Sequence, residues 1–173
     1  MKSTHLPVLA AEDEESDVFI LRLAFERAGV PNPLLVVRDG QEAVDYLQGN
    51  RPYTERLIHP LPLLLLLDLK MPRMNGFDVL AWLATRPELS YLPVIVLSSS
   101  TLDFDMLKAR QLGARDYFFK PTQLSQFVRV IQEIRTRWLS AMPASLPETP
   151  HFPAGPPGQA AARTAPNFDI GSP

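Results

Sequence analysis

Five side chains have types and positions that suit phosphoryl chemistry, and each stands at the end of an apolar run: Glu12, Asp13, Asp68, Ser98 and Lys120. If these runs are parallel strands of one sheet, their carboxyl ends meet at the edge where ligands gather. Three crowded carboxylates repel one another and need a hard cation, and oxygen ligands without histidine favour Mg²⁺. A lysine and a hydroxyl can each contact a phosphoryl oxygen. The set therefore suits phosphoryl transfer onto a carboxylate.

The run before Asp68, Leu63–Leu67, consists entirely of leucine. It is too short to span a membrane and too uniformly apolar for a surface element, which indicates a central parallel strand buried on both faces. Taken alone, Asp68 would be better explained as a solvated acid or a helix cap after that strand. The acids, hydroxyl and lysine at the other strand ends favour a chemical role instead.

Apolar runs alternate with amphipathic segments through residues 5 to 140. The strands predicted from them are His5–Ala11, Leu34–Val37, Leu63–Leu67, Val94–Leu97 and Tyr117–Phe119, and the helices are Ser16–Ala28, Gln41–Leu47, Gly76–Leu83, Asp103–Leu112 and Thr122–Leu139. This alternation requires a parallel sheet covered on both faces, because the crossovers are right-handed. The predicted fold class is α/β, with a doubly wound five-stranded parallel sheet in the order 2-1-3-4-5.

The composition changes near Ser140, which sets the predicted domain boundary. Residues 1–140 are expected to form one domain, whereas residues 141–173 contain eight prolines, many alanines and little aliphatic bulk. Prolines at this density exclude a helix or a paired strand. We therefore predict a disordered or loosely extended Pro/Ala-rich tail.

The composition also excludes several classes of function. The 173 residues include no cysteine, which rules out disulfides and thiol chemistry, and the three histidines have no ligand spacing. A formal charge of -2 gives no general attraction to nucleic acid or to an anionic membrane. No segment is long enough for a transmembrane helix, and residues 1–5 lead into a strand without a signal-peptide core. A cytoplasmic location is the expectation.

The motifs and their order strongly resemble the receiver domain of two-component response regulators. The matching pieces are Glu12-Asp13, the Leu67–Gly76 loop, Ser98 and Lys120-Pro121, and the resemblance covers residues 5 to 140. Four motifs in order, each at a strand end, are far more specific than any one of them. The resemblance implies the flavodoxin-like receiver fold. It also implies a phosphoacceptor that signals by protein contact and is not a classical enzyme, with self-phosphorylation and self-dephosphorylation.

Carried over position by position, the resemblance gives Asp68 the role of phosphoacceptor. Asp13 and Asp68 would bind Mg²⁺ directly, the backbone carbonyl of Lys70 would complete the protein ligands, and Glu12 would act through water. Lys120 would contact the phosphoryl group.

The resemblance also makes Ser98 the switch hydroxyl and Tyr117 the switch aromatic whose rotamer follows it. Tyr117 equally suits an edge-strand aromatic packed on the last helix, and the sequence leaves both interpretations open.

A narrower resemblance is to the stand-alone receivers that accompany bacterial phytochromes. It rests on Asp39–Ala43, the long loop before the third strand, Val94–Ser100 and the helix from Phe127 to Trp138. It implies a sensor histidine kinase as partner, with a phytochrome as one candidate, although similar receivers serve other sensors. The residues expected to contact the kinase are Glu14, Glu15, Phe19 and Thr122, with core packing as the alternative for Phe19. Helix four, strand five and helix five would form the signalling and homodimer surface.

Two positions depart from the narrower pattern. Lys70 stands two residues after Asp68, where these receivers often have asparagine, and it adds a cation beside the phosphoryl group. Ser98 replaces the commoner threonine, which keeps the hydroxyl and removes a methyl group.

Other classes of protein fit less well. A haloacid-dehalogenase-type phosphatase needs a second acid two residues after the strand-end aspartate, where this chain has Lys70. A flavodoxin-like cofactor binder needs a glycine- and hydroxyl-rich loop after the first strand, but Glu12-Asp13-Glu14-Glu15 would repel a phosphate. The nearest alternative is a receiver-like interaction module that works without phosphorylation.

Overall fold

The computed structural model describes residues 5–140, so the predicted tail lies outside the described residues. Five strands and five α-helices alternate: β1 Val8–Ala11, α1 Glu15–Arg27, β2 Leu34–Val37, α2 Gly40–Gln48, β3 Leu64–Leu67, α3 Gly76–Ala84, β4 Val94–Ser98, α4 Asp103–Gln111, β5 Asp116–Phe119 and α5 Leu124–Ile134. All strands are parallel, in the order β2-β1-β3-β4-β5. The predicted fold class and strand order are therefore confirmed.

The predicted elements are all present, with shifted ends. The last helix was predicted as one continuous segment, but α5 ends at Ile134 and Arg135–Leu139 form a π-helical turn. A 3₁₀ turn, Pro87–Leu89, lies between α3 and β4. The first strand begins at Val8 rather than His5 because it pairs with β2 and β3 only from that residue. Within residues 5–140, no helix is long and apolar enough to cross a membrane.

The sheet is buried because apolar residues cover both of its faces. Every residue of β1, β3 and β4 is buried, which explains the uninterrupted leucine run. Alternate residues of each strand point to opposite faces. One face packs with α2, α3 and α4 around Leu65 and Val96, and the other packs with α1 and α5 around Leu64 and Ile95.

The long segment between α2 and β3 is anchored by polar contacts at the end of α2. The Arg56 guanidinium donates to the carbonyl oxygens of Tyr46 at 2.8 Å and Leu47 at 2.7 Å, which lie in the last turn of α2. The Tyr46 hydroxyl donates to the Pro60 carbonyl at 2.8 Å. These bonds fix the segment while leaving the Leu57 side chain in solvent.

We expect Leu65→Ala to lower the free energy of unfolding by about 2–5 kcal/mol, because it leaves a cavity in the sheet core. Leu65 has no exposed surface, whereas Leu57 is 91% exposed and provides a matched control. Leu57→Ala should change the free energy by no more than about 0.5 kcal/mol. Urea denaturation followed by circular dichroism measures both, and equal losses would contradict the described burial.

Candidate functional site

The strand register brings the predicted site residues to one edge of the sheet. Ala11 of β1 pairs with Leu67 of β3, and these are the last residues of the two strands. Glu12 and Asp68, which follow them, therefore lie side by side. The Asp68 amide donates to the Ala11 carbonyl at 3.1 Å, and the Lys120 amide donates to the Ser98 carbonyl at 2.9 Å. The structure therefore places all four strand ends together, as the sequence predicted.

The ammonium group of Lys120 lies at the centre of this edge. Its Nζ atom is 2.5 Å from Glu12 Oε2, 2.9 Å from Asp17 Oδ2 and 3.1 Å from Asp68 Oδ2. The Lys120 side chain is only 9% exposed. An ammonium group has three hydrogen-bond donors and no acceptor, so three carboxylates match its capacity.

Burial and charge act in opposite directions on the pKa values of these groups. Burial alone would lower the pKa of Lys120. The charges of Asp68 and Glu12 and the hydrogen bonds to Glu12 and Asp17 raise this pKa by more than burial lowers it, so the ammonium group stays charged. Burial raises the pKa of Glu12 to about 7, although Lys120 opposes that shift. A cation beside Glu12 would favour its ionised form.

Three carboxylates at this edge are close enough to share one metal ion. One oxygen each from Glu12, Asp13 and Asp68 lies within 4.8 Å of the others. Glu12 and Asp68 are buried, whereas Asp13 is exposed. Oxygen ligands and an excess of negative charge over the single Lys120 ammonium suit a hard divalent cation. The donor set therefore fits the Mg²⁺ that the sequence predicted.

Asp68 is held in place by its own loop. Its Oδ1 atom accepts a hydrogen bond from the Leu69 amide at 2.7 Å, and only 6% of the residue is exposed. Gly76 lies so close that an added Cβ would be 2.3 Å from the Asp68 carbonyl oxygen. The loop can close only because residue 76 is glycine, which accounts for the glycine in the sequence motif.

Ser98 and Tyr117 both contact the start of the loop that follows β4. The Ser98 Oγ atom is buried and accepts from the Ser100 amide at 3.3 Å, while the Tyr117 hydroxyl donates to the Ser100 carbonyl at 3.0 Å. Tyr117 belongs to the apolar cluster that includes Ala109 of α4, whereas Phe127 of α5 belongs to the other cluster. Packing on the last helix, one of the two interpretations of Tyr117, is therefore wrong.

The remaining predicted residues lie on the surface around the site. Lys70 is exposed, and so are the four residues expected to contact a kinase: Glu14, Glu15, Phe19 and Thr122. Phe19 is 63% exposed, so the core alternative for it is wrong.

Sequence reasoning missed two features of the site. Asp17, in the first turn of α1, contacts Lys120, and the only sequence signal is its position one turn after Asp13. The Ser100 hydroxyl donates to Asp105 Oδ2 at 2.5 Å, which links the loop after β4 to α4. Asp17 and Asp105 lie on helices and not at strand ends, so a search for polar residues at strand ends could not find these contacts.

We expect Lys120→Met to destabilise the protein by about 3 kcal/mol in buffer without divalent cations, because it leaves buried carboxylates without their counter-charge. Lys108→Met is the matched control, since Lys108 contacts the Phe77 ring and no carboxylate among the described ion pairs. It should cost about 1 kcal/mol or less. Chemical denaturation at neutral pH compares the two, and equal losses would show that the Lys120 cluster is unimportant for stability.

Comparisons with known proteins agree with this geometry. The family model described as response regulator receiver domain matches residues 8–132. Response regulator Rcp1 of Synechocystis is 30% identical over 135 residues, which cover 78% of this chain and 90% of Rcp1. The probable methanogenesis regulatory protein FilR2 of Methanothrix harundinacea is 33% identical over 136 residues, which cover 76% of this chain and 83% of FilR2.

Solved structures give the same result. The phosphorylated cyanobacterial phytochrome response regulator RcpA aligns with a TM-score of 0.73 and 33% identity, over 80% of this chain and 97% of RcpA. The Mn²⁺-bound form of Rcp1 aligns with a TM-score of 0.71 and 30% identity, over 82% of this chain and 99% of Rcp1. The chain belongs to the response regulator receiver domain family and is related to phytochrome response regulators.

Proposed function

We propose that Asp68 accepts a phosphoryl group from a phosphohistidine of a sensor histidine kinase. An Asp68 carboxylate oxygen would attack phosphorus as the bond from phosphorus to the donor nitrogen breaks, and the imidazole would leave. The observation that carries this proposal is the 3.1 Å contact between Asp68 Oδ2 and the Lys120 ammonium within a buried acidic site. That ammonium can neutralise charge on the transferring group.

The same proposal includes a metal ion at the acidic cluster of Glu12, Asp13 and Asp68. Carboxylates of Asp13 and Asp68 and the backbone carbonyl of Lys70 would hold Mg²⁺, with Glu12 acting through water. The bound metal would neutralise charge on the phosphoryl oxygens. The spacing of the carboxylates and the relationship to a protein solved with Mn²⁺ support a divalent cation here.

The Ser98 hydroxyl would then donate to a phosphoryl oxygen, and Tyr117 would respond through the loop after β4. Support comes from the contacts of both residues with Ser100, the Ser98 Oγ with its amide and the Tyr117 hydroxyl with its carbonyl. Phosphorylation would bias an existing equilibrium of this segment rather than create a new state.

The partner surfaces lie on two sides of the site. The kinase would contact α1 and the loop after Lys120, where Glu14, Glu15, Phe19 and Thr122 are exposed. A phytochrome is the favoured sensor because RcpA is a phytochrome response regulator. Contacts with a downstream protein, or with a second copy in a homodimer, would use the surface of α4, β5 and α5. On this surface, α4 and β5 expose the apolar side chains Phe104, Leu107 and Phe119.

Incubation with Mg²⁺ and a small phosphodonor should give a phosphoryl adduct on the wild-type protein and none on Asp68→Asn, because the amide removes the nucleophile. Intact mass spectrometry measures the adduct, and it would also show self-phosphorylation. Asp103→Asn, an exposed acid of α4 outside the proposed site, should retain the adduct. An adduct that survives Asp68→Asn, or none on the wild type, would reject the proposal and favour a phosphorylation-independent interaction module.

We expect Lys70→Asn to shorten the lifetime of the phosphorylated protein by about twofold to fivefold, the equivalent of about 0.4–1 kcal/mol for an exposed ion pair. The Lys70 ammonium is exposed two residues from Asp68 and would stabilise the charge of the phosphoryl group. Loss of the adduct over time measures the rate, with Lys108→Asn as control. Equal rates for wild type and Lys70→Asn would contradict a role for Lys70.

A further inference from the structure

A cleft of about 520 Å³ lies at the amino-terminal edge of the sheet, between the ends of α3 and α4. Val94, the first residue of β4, lines this cleft, whereas Ser98, at the other end of the strand, belongs to the site around Asp68. The cleft and the proposed phosphorylation site therefore lie at opposite edges of the sheet. Its volume is in the range of small-molecule sites, about 300–1,000 Å³.

The inner part of the cleft is apolar. Leu80, Leu89, Leu92 and Val94 line it, and all four belong to the core cluster on the α3 and α4 face of the sheet. They are buried by the helices and strands around the cleft. The part of a ligand that packs on these side chains would have to be apolar as well.

Three arginines, Arg86, Arg110 and Arg115, line the same cleft, and no acidic residue lines it. Arg86 pairs with Glu88 at 3.9 Å and lies 5.1 Å from the centroid of the Trp82 ring. Arg110 and Arg115 form no ion pair within the part of the chain that the structure describes. The lining therefore carries positive charge that the neighbouring residues do not neutralise.

Packing and helix electrostatics account for only part of this charge. Arg110 lies in the last turn of α4, where a cation interacts favourably with the helix dipole. Arg115 lies beyond that helix, immediately before β5, so the dipole does not explain it. The Nε atom of Arg86 is buried and has no acceptor among the described residues. Buried donors are normally hydrogen-bonded, and an anion in the cleft would supply acceptors.

We propose that this cleft binds a small organic anion with an apolar body and a carboxylate or phosphate head. The body would pack on Leu89 and Leu92, and the head would pair with the arginines, because guanidinium groups bind both kinds of head. The ligand would contact α3 and α4 at once. Ala109 is the only buried residue of α4, so a ligand would add contacts to a helix that has few.

Two fluorescent probes with the same carbon skeleton separate the apolar and the anionic contributions to binding. Anilinonaphthalene sulfonate has an anionic head, and phenyl naphthylamine is its uncharged counterpart. Titration of the full chain with each probe gives its Kd. Naphthoate and naphthyl phosphate then compete with the sulfonate probe, and the stronger competitor identifies the head that the cleft prefers.

We expect the double variant Arg110→Gln, Arg115→Gln to raise the Kd of the sulfonate probe by about tenfold, because two ion pairs are lost. The Kd of the uncharged probe should not change. Both arginines are exposed, so the variant should fold. Arg129→Gln is the matched control, since Arg129 is an exposed arginine of α5 that forms none of the described ion pairs, and it should leave both Kd values unchanged.

A second pair of variants tests the place of binding. Ala81 and Ala84 are both exposed in α3, but only Ala84 lines the cleft. Ala84→Phe should weaken the binding of both probes by obstructing the cleft, whereas Ala81→Phe should not. Phe104→Ser should also leave both Kd values unchanged, because Phe104 lies at the other end of α4.

Equal Kd values of the sulfonate probe for the wild type and the double arginine variant would overturn the proposal. An equal effect of Arg129→Gln would do the same, and so would loss of binding in Phe104→Ser, which would place the probe on the exposed apolar surface of α4. Stronger displacement by hexaglutamate than by either naphthyl competitor would indicate an acidic polypeptide as the occupant. A Kd that rises with protein concentration would indicate a second copy of this chain. Either of the last two results would reject a small-molecule site.

Discussion

The Lys120 ammonium lets several acidic side chains share one buried edge of the sheet. The parallel register places Glu12 next to Asp68 whether or not their charges are compatible, and α1 adds Asp17. Two buried carboxylates without a counter-charge would be strongly unfavourable. The Lys120 position is fixed in turn by the bond from its amide to the Ser98 carbonyl. A short edge strand, β5, is therefore essential to a site built mainly on β1 and β3.

The single Lys120 ammonium contacts three carboxylates and does not balance their negative charge. Burial raises the pKa of Glu12 to about 7, so this carboxyl group binds a proton more readily than an exposed glutamate does. A divalent cation would be attracted to the remaining charge, and Asp13 is exposed where it could enter. The electrostatic arrangement that requires Lys120 for stability therefore also favours a metal beside the proposed phosphoacceptor.

The residues that sequence reasoning found are those whose position depends on the sheet alone. Asp68 and Lys120 follow apolar runs, and the carboxyl ends of parallel strands must meet, so their proximity followed from the strand order. Asp17 was missed because its contact depends on how α1 is rotated on the sheet. The hydrogen bond between Ser100 and Asp105 was missed because it joins a loop to α4 and not one strand end to another. Helical periodicity likewise continues through Arg135–Leu139 and does not show the π-helical turn there.

The surroundings of Asp68 differ in how firmly they are held. On one side, Gly76 packs against the main chain of Asp68 and Leu69, and Gly40 packs against the main chain of Met74 and the side chain of Val79, with no space for a Cβ at either glycine. On the other side, Ala109 is the only fully buried residue of α4, and Phe104 and Leu107 are exposed. A segment with so few buried contacts opens at lower free energy than the core. Strain introduced at Asp68 would therefore be relieved toward Ser98, Ser100 and α4. Under the proposed function, the firm loop around Asp68 would direct a response toward the exposed apolar side chains Phe104 and Leu107 of α4.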